Sequence, residues 1–70
     1  MKRRTVVYTT FWTKRGMVEG PSFRSVVEAE RACLKALAEG SVKVRYWIFD
    51  SHRGEIRKIY TKKKPFWHDE

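Results

Sequence analysis

The stretch Val42–Thr61, VKVRYWIFDSHRGEIRKIYT, decides the fold. Two runs rich in β-branched and aromatic residues, Val42 to Phe49 and Glu55 to Lys62, flank the polar pentad DSHRG, a pattern that predicts a β-hairpin. Arg53 and Gly54 stand where a tight turn requires positive φ. Successive side chains of a strand point to opposite faces, so Val42, Val44, Tyr46 and Ile48 form the expected core side and Lys43, Arg45, Trp47 and Phe49 the opposite one. The register of the second strand has two solutions. With four loop residues, Tyr46 pairs near Ile59, and Trp47, Phe49, Ile56 and Tyr60 gather outside with Lys43, Arg45, Lys58 and Lys62. A three-residue loop with a bulge instead turns Ile56, Lys58 and Tyr60 inward.

Working outward from the hairpin, Val26, Ala29, Cys33, Ala36 and Leu37 fall on one helical stripe with Leu34 beside it. Ser25 and Glu28 have the spacing of a capping box, which starts the helix near Val26, and Gly40 sits where a left-handed terminator ends it after Glu39. Glu30 lies close to the apolar stripe and is expected to pair with an Arg or Lys of the sheet. Further upstream, Thr5–Thr13, TVVYTTFWT, suits a first strand. A turn at Lys14–Gly16 and the segment MVEG add a short second one before Gly20 and Pro21.

The expected fold is therefore α+β: a small antiparallel sheet of three to four strands with one helix on one face, in the order β-(β)-α-β-β. It forms a single domain over residues 1–70, with a folded body from about Thr5 to Thr61 and short charged ends. At 70 residues such a domain buries only roughly 60% of its unfolded surface, which makes its core thin. Phe66 and Trp67, following Pro65, are expected either to dock on the body or to be held for a partner, docking being the commoner outcome.

Charge points to the partner. The chain carries 16 Lys and Arg against 8 Asp and Glu, a formal net charge of +8 that attracts polyanions. Between Ser41 and Lys64 there are eight basic residues against Asp50 and Glu55, so this third supplies six of the eight net charges. Aromatic rings interleaved with cations can stack on bases while the cations meet phosphates. The candidate binding residues are accordingly Lys43, Arg45, Trp47, Phe49, Lys58, Tyr60, Lys62, Lys63 and Lys64. The alternative makes Trp47, Phe49 and Tyr60 a second small core under the N-terminal segment or Phe66 and Trp67, with the cations solvating strand edges.

The expected partner is nucleic acid, an acidic protein surface or a ribonucleoprotein. An alternative is a small inhibitor or accessory protein whose same face fits an acidic groove of a host complex and blocks its nucleic-acid site; a structural homo-oligomer, such as a homodimer, is a third. Enzymatic function is not expected. Asp50, Ser51 and His52 are consecutive and so cannot converge as a triad, and His52, His68 and Cys33 lack metal-ligand spacing. No cofactor or metal is implied. Cys33 on the helix stripe reads as packing, and a single cysteine in a thin-cored domain points to a reducing, cytoplasmic setting. The longest apolar run, Tyr46–Phe49, is far short of a membrane span, and Lys2, Arg3 and Arg4 precede no signal-like apolar region.

The segments VVEAERACLKALAEG (26–40) and WIFDSHRGEIRKIYT (47–61) together resemble a small bacterial domain family of unknown function, in which an Ala-rich helix with a Glu-Ala pair precedes a strand, an Asp-Gly-type turn and an Ile-Arg strand. This chain departs from it at Arg53-Gly54 and in its aromatic first strand. The layout is also similar to small phage-encoded inhibitors, including some anti-CRISPR proteins, which act by occupying a host complex. Neither resemblance implies particular binding residues.

Overall fold

The computed structural model describes residues 5–50 and 52–70, apart from the side chain of Asp50. Lys2, Arg3, Arg4 and Ser51 lie outside the described residues. The elements are β1 (Val7–Thr13), β2 (Gly16–Glu19), α1 (Val26–Ala38), β3 (Lys43–Asp50), β4 (Gly54–Thr61) and β5 (His68–Asp69). They form one antiparallel sheet in the order β2-β1-β3-β4-β5, and α1 packs against β1 and β3. The α+β architecture is the one the hairpin and helix patterns predict. Its fifth strand extends the ordered body beyond Thr61 to Asp69.

Local chemistry explains where α1 starts and stops. Ser25 has extended backbone and its Oγ accepts a hydrogen bond from the Glu28 N–H at 3.2 Å, satisfying one of the donors a helix start leaves orphaned. At the other end Gly40 adopts φ 123°, and the Gly40 and Ser41 N–H groups return to the carbonyls of Leu37 and Ala36. Ala29, Cys33 and Leu37 point into the sheet and pack with Val7, Val44 and Tyr46 as the buried core. Two of the three helix contributions are small, so α1 lies close to the strands but brings little apolar volume. Phe11, Phe23, Ile48, Tyr60 and Trp67 close the core from its margins.

The segment after β2 continues along β1. Val7 and Phe23 exchange both backbone hydrogen bonds, at 2.7 and 2.8 Å, and the Gly20 N–H donates to the Thr9 carbonyl. Gly20 is required here by packing: a Cβ would overlap Thr9 Oγ1 and lie 2.8 Å from two ring carbons of Phe11.

The β3–β4 hairpin resolves the register. Asp50 pairs with Gly54 across a three-residue loop, Tyr46 pairs with Lys58, and Gly54 supplies a positive φ (77°). Arg53 does not share that conformation. The chain past Thr61 folds back, so that Ile59 pairs with His68 and Lys58 with Asp69. Trp67 thereby sets its ring against the edges of Tyr46 (4.9 Å) and Tyr60 (5.2 Å), whereas Phe66 stays exposed. The two terminal aromatics have different fates, one docked and one free of the core.

Glu30 does not have the expected sheet cation. Among the described residues no ion pair reaches it; its neighbours are the Tyr46 phenol and the Cys33 thiol, and Lys58, the cation that the register turns toward the helix, is 2.7 Å from Asp69.

Candidate nucleic-acid interface

Residues paired across an antiparallel sheet share a face, so the registers define the side turned away from α1 row by row. One row is Trp12–Lys43–Thr61, the next Thr10–Arg45–Ile59–His68, and the third Tyr8–Trp47–Arg57. Phe49 and Glu55 form a fourth. Of the residues expected on this surface, Lys43, Arg45, Trp47 and Phe49 are present. Lys58 and Tyr60 are not: the three-residue loop shifts β4 by one position relative to the four-residue solution, and a one-residue shift sends every side chain to the other face. Tyr60 consequently packs on Trp67 and Lys58 pairs with Asp69, while Arg57 and Ile59 take their places on the open face.

Three groups of contacts organise this face. Tyr8 stacks on Trp47 with ring centroids 4.4 Å apart and 23° between planes, each ring shielding one side of the other. Trp12 has the Lys43 ammonium 4.5 Å and the Arg45 guanidinium 5.0 Å from its centroid, both within cation–π range. Arg45 also donates to Thr10 Oγ1 at 3.2 Å and lies over it, which explains why Thr10 is buried on the side away from the helix. Phe49 is the outlier, 71% exposed and free for contact.

Charge on this face is balanced, contrary to the concentration expected from the linear sequence. Arg57 donates to Glu55 at 2.6 and 3.1 Å, a hydrogen-bonded pairing that raises the guanidinium pKa. Glu70 Oε1 lies 3.4 Å from Arg57 and 3.5 Å from Arg45. With Glu19 opposite Thr10, the acids Glu19, Glu55 and Glu70 match Lys43, Arg45 and Arg57 in number.

Further cations gather at one end of the sheet, an end that Lys43 shares with the open face. The β1–β2 turn carries Lys14 and Arg15 beyond Thr13; Lys43 opens β3 beside it, opposite Trp12; and Lys62, Lys63 and Lys64 leave β4 opposite Lys43. Helix α1 also ends there, because the Val42 N–H donates to the Trp12 carbonyl, and it contributes Lys35 and the carboxylate of Glu39. The lysine triplet is held in a closed turn. The Lys64 N–H donates to Thr61 Oγ1 at 2.9 Å and the Thr61 N–H returns to the Lys64 carbonyl, so all three side chains project from a fixed backbone and are exposed. An open groove of about 570 Å³ separates Lys14 and Arg15 from Gly40 and Ser41 at this end.

Linear spacing conceals Lys14 and Arg15, 28 residues or more from Lys43, as well as Tyr8, Trp12, Arg57 and Glu70. The alternation Tyr8–Thr10–Trp12 and the single glycine after Arg53 are the signals that could have found part of this arrangement. Among the described residues no three His, Cys, Asp or Glu side chains gather as a metal cluster, and no helix is long and apolar enough to cross a membrane.

Fold and surface together define a small α+β domain with an aromatic sheet face and a basic end. No family model, curated protein or solved structure matches the chain.

Proposed function

We propose that this protein is a non-enzymatic module that binds nucleic acid, with the basic end of the sheet meeting the phosphate backbone. The observation that carries the reading is the convergence of Lys14, Arg15, Lys43, Lys62, Lys63 and Lys64 on one end, which Glu39 offsets only in part. Segments far apart in the chain supply these charges, and their mutual repulsion costs stability that a polyanion would return. A lysine turn closed by two hydrogen bonds lowers the backbone entropy lost when its ammonium groups engage phosphates.

The test is binding to duplex and single-stranded DNA and to RNA over a range of salt. Affinity should fall with a log–log slope near about −0.9 per duplex phosphate contact, and Lys62, Lys63 and Lys64 replaced together by Ala should flatten that slope by about 2–3 units. Salt-independent binding, or a triple variant that binds like the parent, would remove the proposal's basis.

One observation favours a second reading. Phe49, Tyr8 and Val6 are exposed by 71, 41 and 38% at the end of the open face remote from the lysine turn, and rings presented to water suit a protein partner. In that case the molecule is an inhibitor or accessory protein of a nucleic-acid-bearing complex. A sample that ignores oligonucleotides yet co-purifies with a single host protein, through an interaction lost in Phe49→Ala, would support it.

A further inference from the structure

The open face contains an anion site already filled by the chain itself. Arg45 and Arg57 converge on one oxygen, Glu70 Oε1, at 3.5 and 3.4 Å, the long limit for a charge-assisted hydrogen bond. Arg45 is also incompletely satisfied: its Nε is buried and, among the described residues, has no partner. A single carboxylate oxygen shared at this distance leaves donor capacity unused. The two non-bridging oxygens of a phosphodiester, splayed tetrahedrally and not tethered to this sheet, would give each guanidinium an oxygen of its own.

The surroundings specify which oxyanion. Trp47 is directly opposite Arg57 in the register, with Tyr8 stacked on its other side, and Trp12 lies against Arg45. Phosphate sites flanked by flat rings suit a strand whose bases are free to stack; a duplex keeps its base faces covered. A groove of about 370 Å³ bordered by Glu55, Ile56, Arg57, Asp69 and Glu70 leaves room beside the carboxylate for the displaced side chain.

Building on the nucleic-acid reading above, we propose that the open face takes single-stranded nucleic acid, one backbone phosphate replacing the Glu70 carboxylate between Arg45 and Arg57. Glu70 is then a built-in competitor. It keeps two guanidinium groups paired in the free protein and lowers single-strand affinity without affecting duplex contacts at the lysine turn.

The experiment measures affinity of the full chain for an unstructured pyrimidine DNA strand and for a duplex, in Glu70→Gln, Arg57→Gln and the charge-matched control Glu19→Gln. Glu70→Gln should tighten single-strand binding by about threefold or more, the scale of one exposed ion pair, and exceed the effect of Glu19→Gln. Arg57→Gln, an exposed position that should leave folding intact, should weaken it by a similar factor, with duplex affinity changing in either variant by no more than the size of the Glu19→Gln effect. Equal effects of Glu70→Gln and Glu19→Gln, or an Arg57→Gln variant that binds like the parent, would overturn the competitor site. Should duplex binding still depend on the lysine turn, only this inference falls; should the parent bind neither probe, both readings fall.

Discussion

Cys33 shows how a residue's chemistry is set by its place on a helix. Its thiol is wholly buried and donates weakly to the Arg45 carbonyl, and burial, reinforced by the charge of Glu30, pushes its pKa up to about 12. The thiolate is the reactive form, so the native protein should resist alkylation at pH 8 and label only as fast as it unfolds. Rapid labelling without denaturant would contradict the packing role. The same shift links stability to alkali. The unfolded thiol ionises near pH 9 whereas the folded one keeps its proton to about 12, so this contribution is complete below pH 9 and is lost as pH rises toward 12. Between those values stability should fall by about 1 kcal/mol per pH unit, with a shallower slope in Cys33→Ala, which denaturant melts at stepped pH will measure. The Tyr46 phenol is also raised, by burial first, and adds a loss of the same sign that sets in above its ordinary value of 10, within the same alkaline range. Gly20 is a residue-scale constraint of a different kind. Gly20→Ala forces its methyl into Thr9 and Phe11, and overpacking of that type costs about 1–3 kcal/mol, readable as a lower denaturation midpoint. The glycine's neighbours come from β1, eleven and nine residues away in the chain, so its turn role was evident from Gly20-Pro21 but its close contact was not.

At the scale of elements, α1 is marked by local rules and β5 by none. The Ser25 cap, the stripe at Ala29, Cys33 and Leu37, and the Gly40 stop all act within a few residues of one another, which is why they were legible. Ser25→Ala should cost about 1 kcal/mol through loss of the bond to the Glu28 N–H, seen in equilibrium unfolding. The two-residue β5 has no comparable signature. It exists because Trp67 finds a site against Tyr46 and Tyr60, and the Lys58–Asp69 ion pair, which holds the Asp69 pKa below its usual value, lies alongside. Trp67→Ala should therefore destabilise the whole domain by about 2 kcal/mol, less than a fully buried tryptophan because the ring is half-exposed, and release β5 from hydrogen-exchange protection. An unchanged midpoint would mean that the tail merely rests on the sheet.

The molecule as a whole is governed by where its surplus charge lies. Its formal net charge is +8, the open face is internally paired, and the cations at the lysine turn repel one another. Raising salt from low to physiological levels should raise the melting temperature by screening this repulsion. Polyphosphate should raise it further than chloride at equal ionic strength, because it binds the folded arrangement of cations more tightly than the dispersed one. A melting temperature indifferent to the identity of the anion would show that the basic end has no cooperative affinity for phosphate.

The α+β class, the limits of α1, and the alternation that separates Val44, Tyr46 and Ile48 from Lys43, Arg45, Trp47 and Phe49 were determined by the sequence alone. Each depends on neighbours within one turn of helix or one strand, where side-chain periodicity acts directly. The face assigned to Lys58 and Tyr60, the pairing that neutralises Arg45 and Arg57, and the meeting of Lys14 and Arg15 with the lysine turn were decided only in the tertiary structure. These depend on a register that one loop residue reverses and on contacts between distant segments, so their energies belong to pairs of strands and not to any single stretch of chain.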